Sequence, residues 1–127
     1  MTISSLFLFA GAIAVAFWGA MHIAKTRPVV AGFEPLTADN RYVLEMEWIV
    51  EGVALVFTAV LVAAATLFLD RYAAGAKLIY GMSIGFLLTM AVVSLFTGAR
   101  ASLLPYKLCA PIFATAAVLI WMGGFVF

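Results

Sequence analysis

The chain has 127 residues, of which 67% are hydrophobic and 10% charged, with a formal net charge of +1. Soluble domains are about 45–50% apolar and about 25% charged, and a chain this short would still expose roughly a third of its unfolded surface. With a mean hydropathy of +1.20, it is not an ordinary soluble enzyme, a disordered tail or a secreted disulfide scaffold, and lipid is its expected solvent.

The near-neutral balance offers no field for nucleic acid, and the single cysteine, Cys109, has no partner for an internal disulfide. Four segments, about 3–23, 42–69, 78–97 and 108–127, carry the roughly 20 mainly apolar residues needed to cross about 30 Å of hydrocarbon as a helix. Their apolar residues run on without alternating, which excludes barrel strands. The expected fold is all-α: an integral membrane four-helix bundle in one domain over 1–127, left-handed and up-down-up-down, because short connections join antiparallel neighbours.

No Lys or Arg precedes the first span, so its small residues (Ala10, Gly11, Ala12, Ala14, Ala16) read as helix packing in lipid and not as a cleavage signal. In the connection from Lys25 to Arg41, Pro28 and Pro35 are expected to break any helix. Thr37, Asp39 and Asn40 are candidate caps for the second helix. Asp70 to Lys77 joins spans two and three. Ala99 to Lys107 joins spans three and four, with Pro105 marking the turn. Gly81 and Gly85 suit either close helix contact within the chain or a homo-oligomer, and Ala110, Ala114 and Ala117 make a similar small face. Cys109, beside Ala110 and Pro111, is expected at the start of the last helix as a structural thiol.

Charge orients the chain. The first and third connections hold five cations (Lys25, Arg27, Arg41, Arg100, Lys107) against Arg71 and Lys77 on the other side. Loops 25–41 and 99–107 are therefore expected to be cytoplasmic and both termini outside, as in a bacterial inner membrane. Trp18, Tyr42, Trp48 and Tyr106 would form the aromatic belt at that end, and Tyr72, Tyr80 and Trp121 the belt at the other.

Five of the six carboxylates (Glu34, Asp39, Glu45, Glu47, Glu51) and the only histidine, His22, gather at the same end. Glu47 and Glu51 are four apart and share a helix face with Leu55, Thr58, Val62 and Thr66, whereas Glu45 points about 160° away. His22 shares a face with Trp18, Val15 and Gly11. Antiparallel packing of the first two helices brings His22 level with Glu47 and Glu51, with Arg41 or Arg100 as counter-charge. Counting about 20 residues back from Asp70 puts Glu51 near the boundary of the hydrocarbon and not at its centre. The candidate ligand-binding residues are His22, Glu47, Glu51, Arg41, Arg100, Trp18 and Thr58. A metal site lacks support: there is no second histidine and no Glu-x-x-His pair. A phosphate loop, CxxC, nucleophile elbow and HExxH are also missing, and no pattern selects a cofactor.

Gly19-x-x-His22, Pro28 and Pro35, Trp48-x-x-Glu51-Gly52 and Asp70-Arg71-x-Ala73-Ala74 together resemble the DoxX-like group of small four-helix membrane proteins, over about the first two thirds of the chain. That resemblance implies that His22 and Glu51 carry over as functional positions. It also implies a ligand or a partner linked to membrane redox or quinone enzymes. Three functions are open at this point. One is binding or transport of a small ligand (cation, proton-linked solute, quinone or lipid) at the cytoplasmic mouth. Another is an accessory subunit docked on a membrane protein partner. The third is an enzyme using His22 and Glu51 as acid and base.

Overall fold

The computed structural model of the protein describes residues 2–102 and 104–127. It is all-helical, with no strand among the described residues: α1 Ile3–Ala31, α2 Ala38–Phe68, α3 Ala74–Phe96 and α4 Leu104–Trp121. A 3-10 turn, Gly98–Arg100, precedes α4, and a π-helical turn, Met122–Val126, continues it. Four helices are long and apolar enough to cross a membrane.

α1 and α2 are longer than the spans expected from hydropathy, at 29 and 31 residues. At about 1.5 Å per residue each exceeds a 30 Å hydrocarbon layer by roughly two to three turns. Pro28 does not end α1 but sits inside it. It lies in the last turn with its ring exposed, so only the hydrogen bond to the carbonyl of Ala24 is forgone. α2 starts where its sequence says it should. The Thr37 side chain accepts from the Asn40 N–H at 3.2 Å, and Asp39 lies in the first turn, complementing the positive end of the helix dipole.

Two other boundaries shift. Lys77 is in the first turn of α3 and not in a loop. Pro105 is in the first turn of α4, where its missing N–H costs nothing. Cys109, Ala110 and Pro111 therefore lie within α4, not at its start.

The buried stripe of α1 runs Ser4, Leu8, Val15, Gly19, His22, Thr26 at spacings of three, four and seven, the repeat of a helix facing the core of a bundle. α1 packs most extensively on α2, and α3 on α4, while α2 and α3 touch far less. Glycine fixes the closest crossings. A Cβ on Gly19 would stand 2.7 Å from the Gly52 carbonyl oxygen, and a Cβ on Gly52 equally close to that of Gly19. Gly11 meets Ile120 and Ala116, and Gly123 lies under the Ser4 carbonyl. Without a hydrophobic drive between helices in lipid, such close approach supplies the dispersion contact that holds them together. Gly81 and Gly85 do none of this. Both are exposed with nothing within 4 Å of an added Cβ, which removes the expectation that they pack inside the chain.

Candidate functional site

The Gly19–Gly52 crossing determines the site. His22 lies three residues after one glycine and Glu51 immediately before the other, so the close approach of the backbones puts their side chains together. His22 Nε2 is 3.5 Å from Glu51 Oε1, with His22 only 4% exposed and Glu51 26%. One turn earlier on α1, the Trp18 carbonyl sits 3.0 Å from His22 Nδ1. A carbonyl only accepts, so Nδ1 donates and carries the hydrogen. Nε2 is then the nitrogen that carries the lone pair of the neutral ring. Its contact with Glu51 is close enough for charge but lacks hydrogen-bond geometry, and Nε2 has no hydrogen-bond partner. Nitrogen and carboxyl oxygen attract only when one proton lies between them, on either side; with none, a lone pair faces an anion.

Around this pair the aromatic side chains form a continuous wall. The Trp48 ring stacks on His22 with centroids 4.6 Å apart and planes 27° from parallel, and Trp18 meets the opposite side edge-on at 5.7 Å. Tyr106 on α4 packs edge-on against Trp48 at 5.5 Å, and Phe33 in the loop after α1 packs against Tyr106. Trp18, His22, Trp48 and Tyr106 line a half-open cavity of about 540 Å³ whose apolar lining includes Met21, Val29, Leu104 and Leu108, with Lys25 also on its wall. That volume is within the range of about 300–1,000 Å³ that small-ligand sites occupy.

The cavity's polar content is unusual. Among the described residues, four buried side-chain atoms have no hydrogen-bond partner: Trp18 Nε1, Trp48 Nε1, Tyr106 OH and His22 Nε2. All four residues line this one cavity. Buried polar groups are nearly always paired, because a lone one costs about 1–3 kcal/mol. Two indole N–H groups can only donate, and the phenol can donate as well. The wall is therefore apolar on its surface, with covered hydrogen-bond donors among the residues that form it.

The remaining sequence candidates are dispersed. Glu47 is exposed and lines a second, shallower groove with Glu51, between α2 and α3. Arg41 pairs with Glu34 and supplies no counter-charge to the His22 pair. Arg100 is exposed on the 3-10 turn. Thr58 is buried about two turns deeper and donates to the Ala54 carbonyl of its own helix at 2.8 Å.

In the sequence, Trp48 and Tyr106 read only as part of the aromatic belt, and Lys25 is not among the candidate residues. For Trp48 a signal existed, since it precedes Glu51 by three residues and shares its face. Tyr106 had none, because α4 is distant in sequence from both α1 and α2. Among the described residues, no three His, Cys, Asp or Glu side chains stand close enough to hold a metal ion. Comparison with models of protein families, with curated proteins and with solved structures finds no match to the chain.

Proposed function

We propose that the protein is an integral membrane protein, its helices ordered up-down-up-down, that binds a small amphiphile in the aromatic cavity at its cytoplasmic end. The ligand's apolar body lies against Met21, Val29 and Leu108. Its oxygen acceptors take hydrogen bonds from Trp18, Trp48, Tyr106 and the protonated His22. The observation that carries this reading is that the four residues whose buried polar atoms lack a partner all line one cavity. The chemistry fits a quinone headgroup or the ester oxygens of a lipid equally well. It accords with the DoxX-like resemblance, whose Gly19-x-x-His22 and Trp48-x-x-Glu51-Gly52 are the residues of the crossing and the pair. The five-to-two distribution of cations supports a bacterial inner membrane with both termini outside.

Native mass spectrometry of the protein released from lipid nanodiscs tests the reading. The mass of the retained species separates a quinone from an acyl lipid. Replacing Trp18, Trp48 and Tyr106 together by Phe lowers its occupancy, each lost hydrogen bond weakening binding about fivefold for about 1 kcal/mol. Retention of the same species at unchanged occupancy in the triple variant overturns the reading. Labelling by a membrane-impermeant maleimide, at Thr2→Cys but not at Arg100→Cys in a Cys109→Ser background, tests the orientation.

A second reading adds a neighbour. Gly81 and Gly85 form a bare small-residue face on α3, which favours a second copy or a membrane protein partner packed there.

A further inference from the structure

The His22–Glu51 pair stands between two separate spaces. His22 lines the aromatic cavity; Glu51 lines the groove between α2 and α3, with Glu47, Phe86 and Met90, and Trp48 is the wall common to both. Glu47, exposed and one turn nearer the start of α2, is at the mouth of that groove. Among the described residues, the titratable or charged groups lining the two spaces beside the pair can be named by helix. α1 contributes Lys25 on the cavity wall, α2 contributes Glu47, and α4 contributes Tyr106 and Cys109. α3 contributes only Phe86 and Met90 to the groove. Among the described residues, no carboxylic acid lines the aromatic cavity itself; Glu51 and Glu47 both lie on the groove side. Since Nδ1 is tied to the Trp18 carbonyl, only Nε2 can present a hydrogen to a ligand oxygen, and the acid that touches Nε2 is Glu51.

We infer that the cavity binds its ligand together with a proton, which reaches His22 Nε2 from the α2–α3 groove through Glu51. The inference rests on the ligand-binding reading above. In the transfer, the O–H bond of the Glu51 carboxylic acid breaks as an N–H bond forms at Nε2, leaving imidazolium and carboxylate with no change in total charge. The ligand oxygen then accepts from Nε2–H. A pair that has lost its proton offers an oxygen acceptor only a lone pair, so rising pH must weaken acceptor ligands. A ligand hydroxyl avoids this penalty, because it can donate to the bare nitrogen or accept from the protonated one.

Two probes with the same body separate these cases in titrations of the nanodisc protein: 2-undecanone, which only accepts, and 2-undecanol, which does both. The affinity for the ketone falls with pH above the pair's loss of its proton, by up to about tenfold per unit as linkage requires. The affinity for the alcohol changes less than twofold. Glu51→Gln removes the anion that favours the protonated ring and moves the fall in ketone affinity to lower pH, while Glu47→Gln leaves it in place. A ketone that binds the unaltered protein with a flat profile overturns the proton inference and leaves the binding reading intact. Failure of both probes to bind overturns the binding reading and the inference with it.

A measurement without a change at the pair protects the test against misfolding. In Trp121→Phe the two remaining indoles both abut His22, and imidazolium quenches their fluorescence. Ketone binding moves that quenching step to higher pH; an unmoved step overturns the inference.

Discussion

The two ends of the bundle use the same residue types for opposite ends. At the Tyr80 end, polar groups find each other. Tyr80, fully buried, has its hydroxyl 3.2 Å from Thr66 Oγ1, Ser4 donates to the Gly123 carbonyl at 2.9 Å, and Lys77 donates to the Gly124 carbonyl. Gly123 and Gly124 bring the last turn against Ser4, Leu8 and the Tyr80 ring, so helix contact and hydrogen bonding close the same space. At the His22 end, glycine again brings two helices together, but Trp18, Trp48, Tyr106 and His22 keep four polar atoms unpaired around a cavity. A fold that satisfies one end this fully has no packing reason to leave the other unsatisfied. The proposed binding site lies at the end where polar groups are left unpaired, as expected if stability is given up for function there.

The largest effects come from breaking the crossings themselves. A methyl group at Gly123 would meet the Ser4 carbonyl oxygen and the Leu8 backbone nitrogen, and one at Gly52 the Gly19 carbonyl oxygen. Backbone cannot swing aside as a side chain can. Gly123→Ala and Gly52→Ala are each expected to destabilise the protein by about 1–3 kcal/mol, as overpacking does. Thermal unfolding in one detergent measures both. Only Gly52→Ala is expected also to separate His22 from Glu51 and to change the fluorescence of Trp48, which separates damage to the site from damage to the fold.

A sharper contrast is between two tyrosines. Tyr80→Phe removes a made hydrogen bond and leaves Thr66 bound only to its own helix through the Val62 carbonyl. It is expected to cost about 0.5–1.5 kcal/mol. Tyr106→Phe removes a hydroxyl that is buried without a partner. In ligand-free protein it is expected to be neutral or to stabilise by about 1 kcal/mol, while lowering ligand occupancy. Equal destabilisation by the two substitutions would show that Tyr106 is an ordinary structural residue and that the ends do not differ.

Much of the fold was legible because its signals are local. Hydropathy located four helices, Thr37 marked the start of α2, and His22 and Glu51 could be paired from a short loop and helix periodicity. What escaped detection depends on end effects or on distance in the chain. Pro28 reads as a breaker, yet a proline in a terminal turn forfeits one bond at most, so α1 continues to Ala31. Arg41 was expected to reach the pair, but Glu34 in the preceding loop holds it. Trp48 and Tyr106 read only as an interfacial belt, because composition cannot tell a ring facing headgroups from one facing a cavity. Only the meeting of α1, α2 and α4 separates the two.

The smallest expected effect concerns a face that neither end uses. Gly81→Ala adds a methyl group with nothing within 4 Å, on a helix where alanine is favoured over glycine by about 1 kcal/mol. As a monomer, the protein should therefore gain up to about that amount. If a second copy packs on Gly81 and Gly85, the same methyl group forces the two backbones apart, and the gain in monomer stability comes with a weaker dimer. Sedimentation of wild type and Gly81→Ala over a range of protein-to-detergent ratios measures both. A stabilised variant with unchanged association assigns this face to lipid. Loss of association assigns it to a partner and explains why glycine stands where the chain itself has no use for it.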